Sequence, residues 1–300
     1  MTFLTITDSK ELNELFGNEI KALDKTIKLH DSDFSSKKII KIKKYIDDAS
    51  LAIVWSESKQ NNDKIKLYLA SLFGLMEANN LTIITNLSEI TDNSVLDKKS
   101  VNIFDTKEQV IFYIKSSYND IFNSSRKWFA RKKLFDKGIP YTADCFGIYI
   151  AKDKSEICDL FLASDFDINA KDDLGTPLLN IAVRNDNIRY VKKFVEKGAN
   201  INAVSEDRGY TAVMDAVWRK NEEITEYLIK KGADLNTINK EGQTNLVLAV
   251  GSESEKICKL LAENGADPDI KDQMGMSAFG YASLFHKEKL ISILKPYHKE

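Results

Sequence analysis

"KKGADLNTINKEGQTNLVLAV", residues 230–250, carries an element that the chain repeats. Gly232-Ala233-Asp234 recurs as Gly198-Ala199-Asn200, 34 residues earlier, and as Gly265-Ala266-Asp267, 33 residues later. Asp165-Phe166-Asp167 stands at the same step, 33 before Gly198. A second glycine of the stretch belongs to another series: Gly175, Gly209, Gly242 and Gly275, spaced 34, 33 and 33. Behind these come a short apolar segment, a polar break and a longer helical segment, and then the closing element. Eight before the closing position stand Ile157, Tyr190, Ile224 and Ile257; four before it stand Phe161, Phe194, Leu228 and Leu261. Those columns share one helix face, because residues four apart stack on the helix surface. The closing glycine suits the left-handed C-cap position. The pattern predicts a helix–turn–helix–loop unit of about 33 residues.

The chain that holds this array has 300 residues, enough for about two domains. With 43% apolar and 29% charged residues it has an ordinary globular composition. A formal net charge of −2 provides no basic field of the kind that general nucleic-acid or membrane-surface binding needs. No apolar run reaches membrane-spanning length. "MTFLTITDSKELNELF" has no basic segment ahead of its apolar residues, so no signal peptide is expected. Three cysteines make no disulfide framework, and a reduced, cytoplasmic setting is the expectation.

Composition divides the chain near residue 125. Residues 1–125 contain no arginine, no proline and only Gly17 and Gly74, whereas all six arginines, all four prolines and eleven of thirteen glycines lie beyond. Charge does not separate the halves: 16 Lys stand against 18 Asp plus Glu in the first, and 27 basic against 27 acidic residues in the second. The expected domains are 1–125, a connecting helix over 126–138 from "SSRKWFARKKLFDKG" (124–138), and a repeat domain over 139–300.

Residues from about 139 to 295 resemble ankyrin repeats. The family pattern G-x-T-P-L-H-x-A is present but worn: Gly209-Tyr210-Thr211-Ala212-Val213-Met214-Asp215-Ala216 keeps glycine, threonine and alanine, as does Gly242-Gln243-Thr244-Asn245-Leu246-Val247-Leu248-Ala249. In "GTPLLNIA" at 175, Pro177 rather than Thr176 falls in the threonine column. Asn180, Met214, Val247 and Gly280 replace the family histidine. The resemblance implies an all-α solenoid of four to five units with uneven local stability. Its terminal units must be atypical caps. "CFGIYIA" and "EICDLFLA" serve at the start, and "KEKLISILKPYHKE" ends its helix before Pro296 and trails into a charged tail.

The first half alternates short β-rich runs with helical stretches. "FLTIT" (3–7), "TIKLH" (26–30), "LAIVWS" (51–56), "LTIIT" (81–85) and "VNIF" (101–104) read as strands. "KELNELFGNEIKAL", "SKKIIKIKKYIDD", "DKIKLYLASLFGLMEA" and "KEQVIFYIKSSYNDIF" read as helices. Such alternation predicts an α/β three-layer domain with a parallel five-stranded, flavodoxin-like sheet in the order 2-1-3-4-5. "LAIVWSES" and "SLFGLMEANNLTIIT" are similar to the strand–helix–strand core of nucleoside 2-deoxyribosyltransferases and TIR-type NAD-cleaving domains. With Gly74 on that core's glycine, Ala78 and the strand at 82–84 fall into place, but Leu72 occupies the position of the catalytic glutamate.

Cleaving an N-glycosidic bond calls for a carboxylate beside the anomeric carbon. Glu57 and Glu77 are the nearby substitutes, and a solvated loop glutamate is the plainer reading of Glu57. Phosphate cradling needs glycine at a helix start, yet Gly17 and Gly74 lie inside helical segments; Lys59 and Lys64 remain as possible phosphate contacts. His30, His286 and His298 are scattered, so no metal site is expected. Cys158 and Cys258 share a core column with Val191 and Thr225, and Cys145 has no histidine partner. No cofactor and no catalytic residue are expected.

The expected function is therefore a protein–protein interaction module or adaptor; an NAD- or nucleoside-cleaving enzyme targeted by its array is the alternative. In ankyrin proteins the residues flanking the repeat glycine and ending the inner helix face the concave groove. The resemblance places Leu174 and Arg184 there in one unit, Asp207, Arg208, Tyr210, Trp218 and Arg219 in the next, and Met274, Met276 and Phe285 near the end.

Overall fold

The computed structural model describes residues 2–7, 10–23, 25, 28–32, 45–46, 49–55, 76, 81–85 and 101–299. They divide into two compact units, Met1–Phe129 and Ala130–Glu300. The first holds strands β1 (Thr2–Thr7), β2 (Lys28–Ser32), β3 (Leu51–Trp55), β4 (Thr82–Thr85) and β5 (Val101–Ile103). All pair parallel, in the order β2-β1-β3-β4-β5. Strand β2 starts and ends two residues later than its apolar run, because it follows β1 in register from Thr2↔Lys28 to Ile6↔Ser32. Successive side chains point to opposite faces. Phe3, Leu51, Ile53 and Ile84 are buried on one face, Leu4, Ile6, Ala52, Val54 and Ile83 on the other. A sheet buried on both sides reads as continuous apolar runs, which is what the sequence shows.

Helix α1 (Lys10–Leu23) buries Leu12, Phe16 and Ile20, one every turn, and Phe16 meets Trp55 edge-on at 6.1 Å. Helix α2 runs unbroken from Lys107 to Asp136. The helix expected after the last strand and the separate connecting helix are thus one. Asn123 and Ser124, at the junction of the two, are exposed, where each costs only a few tenths of a kcal/mol in a helix. Val110, Ile114 and Ile121 belong to the core of the sheet unit, and Leu134 to that of the second.

The second unit is a stack of five helix pairs: α3 (Ala143–Ala151) with α4 (Ser155–Ala163), α5 (Leu178–Arg184) with α6 (Ile188–Glu196), α7 (Ala212–Trp218) with α8 (Glu222–Lys230), α9 (Asn245–Gly251) with α10 (Glu255–Glu263), and α11 (Ala278–Leu284) with α12 (Glu288–Leu294). The two helical columns fill one continuous core; Tyr190, Ile224, Ile257, Phe161, Phe194, Leu228 and Leu261 are fully buried, and Ile157 packs at its edge. Thr211, Thr244 and Ser277 cap the inner helices by accepting the N–H three residues on, and Pro177 holds that place in α5.

Between pairs, a ladder of side-chain carbonyls links the loops. Asn169 Oδ1 accepts the N–H of Asn200 at 2.7 Å, Asn202 that of Asp234 at 2.9 Å, and Asn236 that of Asp267 at 2.8 Å. The next rung, Asp269, accepts the N–H of Lys299 at 2.8 Å and meets His298 Nδ1 at 2.5 Å, while the imidazole stacks on Phe279 with 3.9 Å between ring centres. Residues 298 and 299 therefore dock on the last loop instead of trailing away.

Candidate functional site

The finger loops between pairs follow one plan with one exception. In three of them a corner residue accepts the N–H four residues on: Asp172 from Thr176 at 2.7 Å, Asn239 from Gln243 at 2.8 Å and Asp272 from Met276 at 3.1 Å. In the remaining finger Ser205 Oγ accepts from Tyr210, five residues on, at 3.1 Å. This finger holds one extra residue, which accounts for the single 34-residue step from Gly175 to Gly209. Each finger closes on a glycine in the left-handed region, φ +72° at both Gly175 and Gly209.

The longer finger carries Asp207 and Arg208 into a polar cluster spanning two helix pairs. Arg184, the last residue of α5, binds Asp207 with both terminal nitrogens at 2.8 and 3.0 Å and Ser205 Oγ at 3.1 Å. Its Nε donates to Asp215 of α7 at 2.9 Å. Asp215 is 1% exposed and also accepts from Asn180 Nδ2 at 2.9 Å and Arg208 Nη2 at 3.3 Å. The Arg208 guanidinium lies 4.6 Å over the Tyr210 ring. Burial pushes the Asp215 carboxyl above the usual carboxylate range, against the pull of Arg184, Asn180 and Arg208. Asp207, gripped by the Arg184 guanidinium, is held well below that range against the opposing effect of its partial burial.

Of the residues expected in a groove, Arg184, Asp207 and Arg208 come together in this cluster. Trp218, 53% exposed, ends α7 beside Arg219, which pairs with Asp186 of the preceding turn. Leu174 and Met274 sit exposed on the tips of other fingers, Phe285 is exposed after α11, and Met276 is half-buried. Tyr210 is a correction: it is 4% exposed. The residue after the finger glycine turns into the stack there, as Thr176 also does, so Tyr210 supports Arg208 from below. Tyr281 stacks on Phe285 with 6.2 Å between ring centres and donates its hydroxyl to Asp272 at 2.7 Å.

Asp215 is the residue that sequence reasoning missed. Three positions before the inner-helix ends stand Ile148, Ile181, Asp215, Leu248 and Tyr281, so an acid sits in an otherwise apolar column. Asn180 stands in the family's histidine column, and its amide crosses to the next pair, donating to Tyr210 O at 3.1 Å.

Among the described residues, no group of three or more His, Cys, Asp or Glu could hold a metal ion, and no helix is long and apolar enough to cross a membrane. Cys158 and Cys258 are fully buried, which pushes their thiols up to about 11 and about 12. Glu57, Lys59, Lys64, Leu72, Gly74, Glu77 and Ala78 lie outside the described residues.

Comparison with known proteins agrees with this architecture. A model of three ankyrin repeats matches residues 148–239, and a single ankyrin repeat matches 241–273. A putative ankyrin repeat-containing protein of Treponema pallidum (strain Nichols) is 31% identical over 204 residues, 65% of this chain and 68% of that protein. A putative ankyrin repeat protein of Acanthamoeba polyphaga mimivirus is 28% identical over 217 residues, 68% of this chain and 27% of its own length. The BRCA1-associated RING domain protein 1 of Caenorhabditis elegans is 39% identical over 94 residues, 31% of this chain and 13% of its own. The chain thus spans about two thirds of the first relative and a minor part of the other two.

Proposed function

The chain belongs to the ankyrin-repeat family, and from that premise we propose that its array is an interaction module, an adaptor or scaffold that holds a partner protein along the concave row of inner-helix ends and finger tips. One observation carries the reading: Trp218 and Leu284 end inner helices and Phe285 follows one, each with more than half its surface in water, on an array where Asp215 also holds the arginine pair Arg184 and Arg208 in place. Exposed apolar groups of this size serve no folding purpose, and Trp and Arg dominate interface energies. With a partner recovered by affinity capture and identified, the Trp218→Ala, Arg219→Ala double variant should lose on the order of 2 kcal/mol of affinity or more, with unchanged circular dichroism. Wild-type affinity in that variant overturns the concave row as the binding surface. The three free cysteines suit a reducing, cytoplasmic setting.

For residues 1–125 we propose a flavodoxin-like three-layer domain, a reading supported by the strand order and by burial on both sheet faces. The order reverses at β1, so a ligand site would sit beyond Thr7 and Trp55, at the carboxyl ends of β1 and β3. The likeness to NAD- and nucleoside-cleaving domains places Leu72 where their glutamate stands, which favours a fold without turnover. Incubation with NAD should release no nicotinamide; release that Glu57→Gln abolishes would promote the enzymatic alternative.

A further inference from the structure

The ladder that links the loops changes residue type along its length. Its first three rungs are Asn169, Asn202 and Asn236, and the fourth is Asp269. An asparagine accepts with its carbonyl and donates with its amide. Asn236 does both toward the next unit, taking the Asp267 N–H and giving to Gly265 O at 3.2 Å. A carboxylate has no donor for such a carbonyl. What Asp269 meets instead is the Lys299 N–H on one oxygen and His298 Nδ1 on the other, while Lys299 Nζ reaches Asp267 at 3.4 Å. Partial burial would raise the Asp269 carboxyl, but the Lys299 N–H and the His298 ring hold it below the usual carboxylate range. An ionised carboxylate only accepts, so Nδ1 carries the hydrogen.

The chain reaches this place by a shortened helix. Helices α6, α8 and α10 have nine residues each and α12 has seven, after which Lys295–Tyr297 form a 3-10 turn around Pro296. Lys299 thus donates from 30 residues beyond its rung, where the other donors stand 31 or 32 beyond theirs. His298 also fills a place in the packing. Two residues after the caps of inner helices α5, α7, α9 and α11 stand Leu179, Val213, Leu246 and Phe279. The first three are buried inside the stack, and Phe279, in the fifth pair, carries the His298 ring instead.

We propose that residues 295–299 are a strap that closes the stack by standing in for the closing loop of a sixth unit, with Asp269 as the residue that selects the strap over a further repeat. The strap supplies what a neighbouring repeat supplies elsewhere, an N–H for the rung and a flat cover for the inner-helix column. It adds a second donor that only a carboxylate rung can take. An asparagine there would offer one acceptor oxygen and turn its amide hydrogens toward the His298 N–H. Since each repeat is held by its neighbours alone, the fifth pair leans on the fourth from one side and on the strap from the other.

Amide exchange over residues 278–294 of the full chain tests the strap. Lys299→Pro removes the N–H together with the Lys299–Asp267 pair, whereas Lys299→Ala removes the pair alone. His298 already has the extended backbone that precedes proline, φ −74° and ψ 134°. Lys299→Pro should speed exchange roughly fivefold or more. Lys299→Ala gives up only a largely exposed ion pair, so its rates should stay within about twofold of wild type. His298→Ala uncovers Phe279 and should match Lys299→Pro. Wild-type exchange in both of these variants overturns the strap, and an acceleration as large in Lys299→Ala overturns the N–H as the donor that holds it. Asp269→Asn gives this loop the residue that the other three carry, so the loop tolerates it, and it should speed exchange as His298→Ala does. Wild-type exchange in Asp269→Asn overturns the carboxylate as the group that selects the strap.

Discussion

The third and fourth helix pairs solve the column three before the inner-helix end in opposite ways, Asp215 in α7 against Leu248 in α9, and the residues around that column differ to match. Asp215 faces Arg184 from the preceding helix end and Arg208 from its own finger. The corresponding residues around Leu248 are Trp218 and Glu241, neither of them a cation. One pair buries a charge and supplies its counter-charges; the other keeps the column apolar and leaves the helix end bare. The polar solution adds little net stability, because desolvation offsets most of the Coulombic gain. What it achieves is position: two arginines are held at fixed places on the surface of a fold whose core does not need them.

The sharpest way to break the comparison is to exchange the residues of the column. Leu248→Asp puts a carboxylate into a site with no cation, and should cost about 3–5 kcal/mol, the usual range for an uncompensated buried charge. Asp215→Leu restores the column type while Arg184 keeps Asp207 and Arg208 reaches water, so stability should stay within about 2 kcal/mol of wild type. Urea denaturation followed by circular dichroism measures both. Equal losses would show that Asp215 holds the stack together rather than the arginines in place.

Much of this was legible before any coordinates. The period, the glycine series and the apolar columns foretold the helix pairs, because each repeat solves the same packing problem with the same residue types. The 34-residue step recorded one extra residue, but a spacing alone does not say that it lies in a finger or which side chain it delivers. Asp215 was visible as an acid among Ile148, Ile181 and Leu248; its partners were not, since Arg184 comes from another repeat and Arg208 from a loop. Tyr210 misled because the residues on either side of a finger glycine point in opposite directions. In the sheet unit, apolar runs located the strands, whereas the end of β2 was set by register with β1 and left no mark in composition.

Smaller in effect is the difference in local opening. Side chains of α5 bond across to the next pair at Tyr210 O, Asp215, Asp207 and Ser205. No α9 side chain bonds across to α11: Thr244 caps its own helix, and Asn245 donates to Leu235 O within the same unit. Since each repeat leans on its neighbours alone, amides in residues 240–255 should exchange before those in 178–195. Uniform protection along the array would show that the cross-repeat bonds of α5 fix surface geometry without adding local stability.

The finest test uses two glycines nine residues apart in one unit. At Gly242 the backbone is left-handed, φ +77°, and an added Cβ would fall 2.9 Å from Gln273 N, so alanine is strained there twice over. Gly251 has a helical backbone and open space around it. Gly251→Ala should therefore raise stability by about 0.5–1 kcal/mol, through the lost freedom of the unfolded chain, while Gly242→Ala lowers it. Thermal melts of the two variants decide the sign of each. Stabilisation at 251 means that folding alone would favour a side chain there, and the bare helix end is then a property of the surface. Destabilisation would return Gly251 to the structural requirements of the repeat, and the contrast between the third and fourth pairs would reduce to packing.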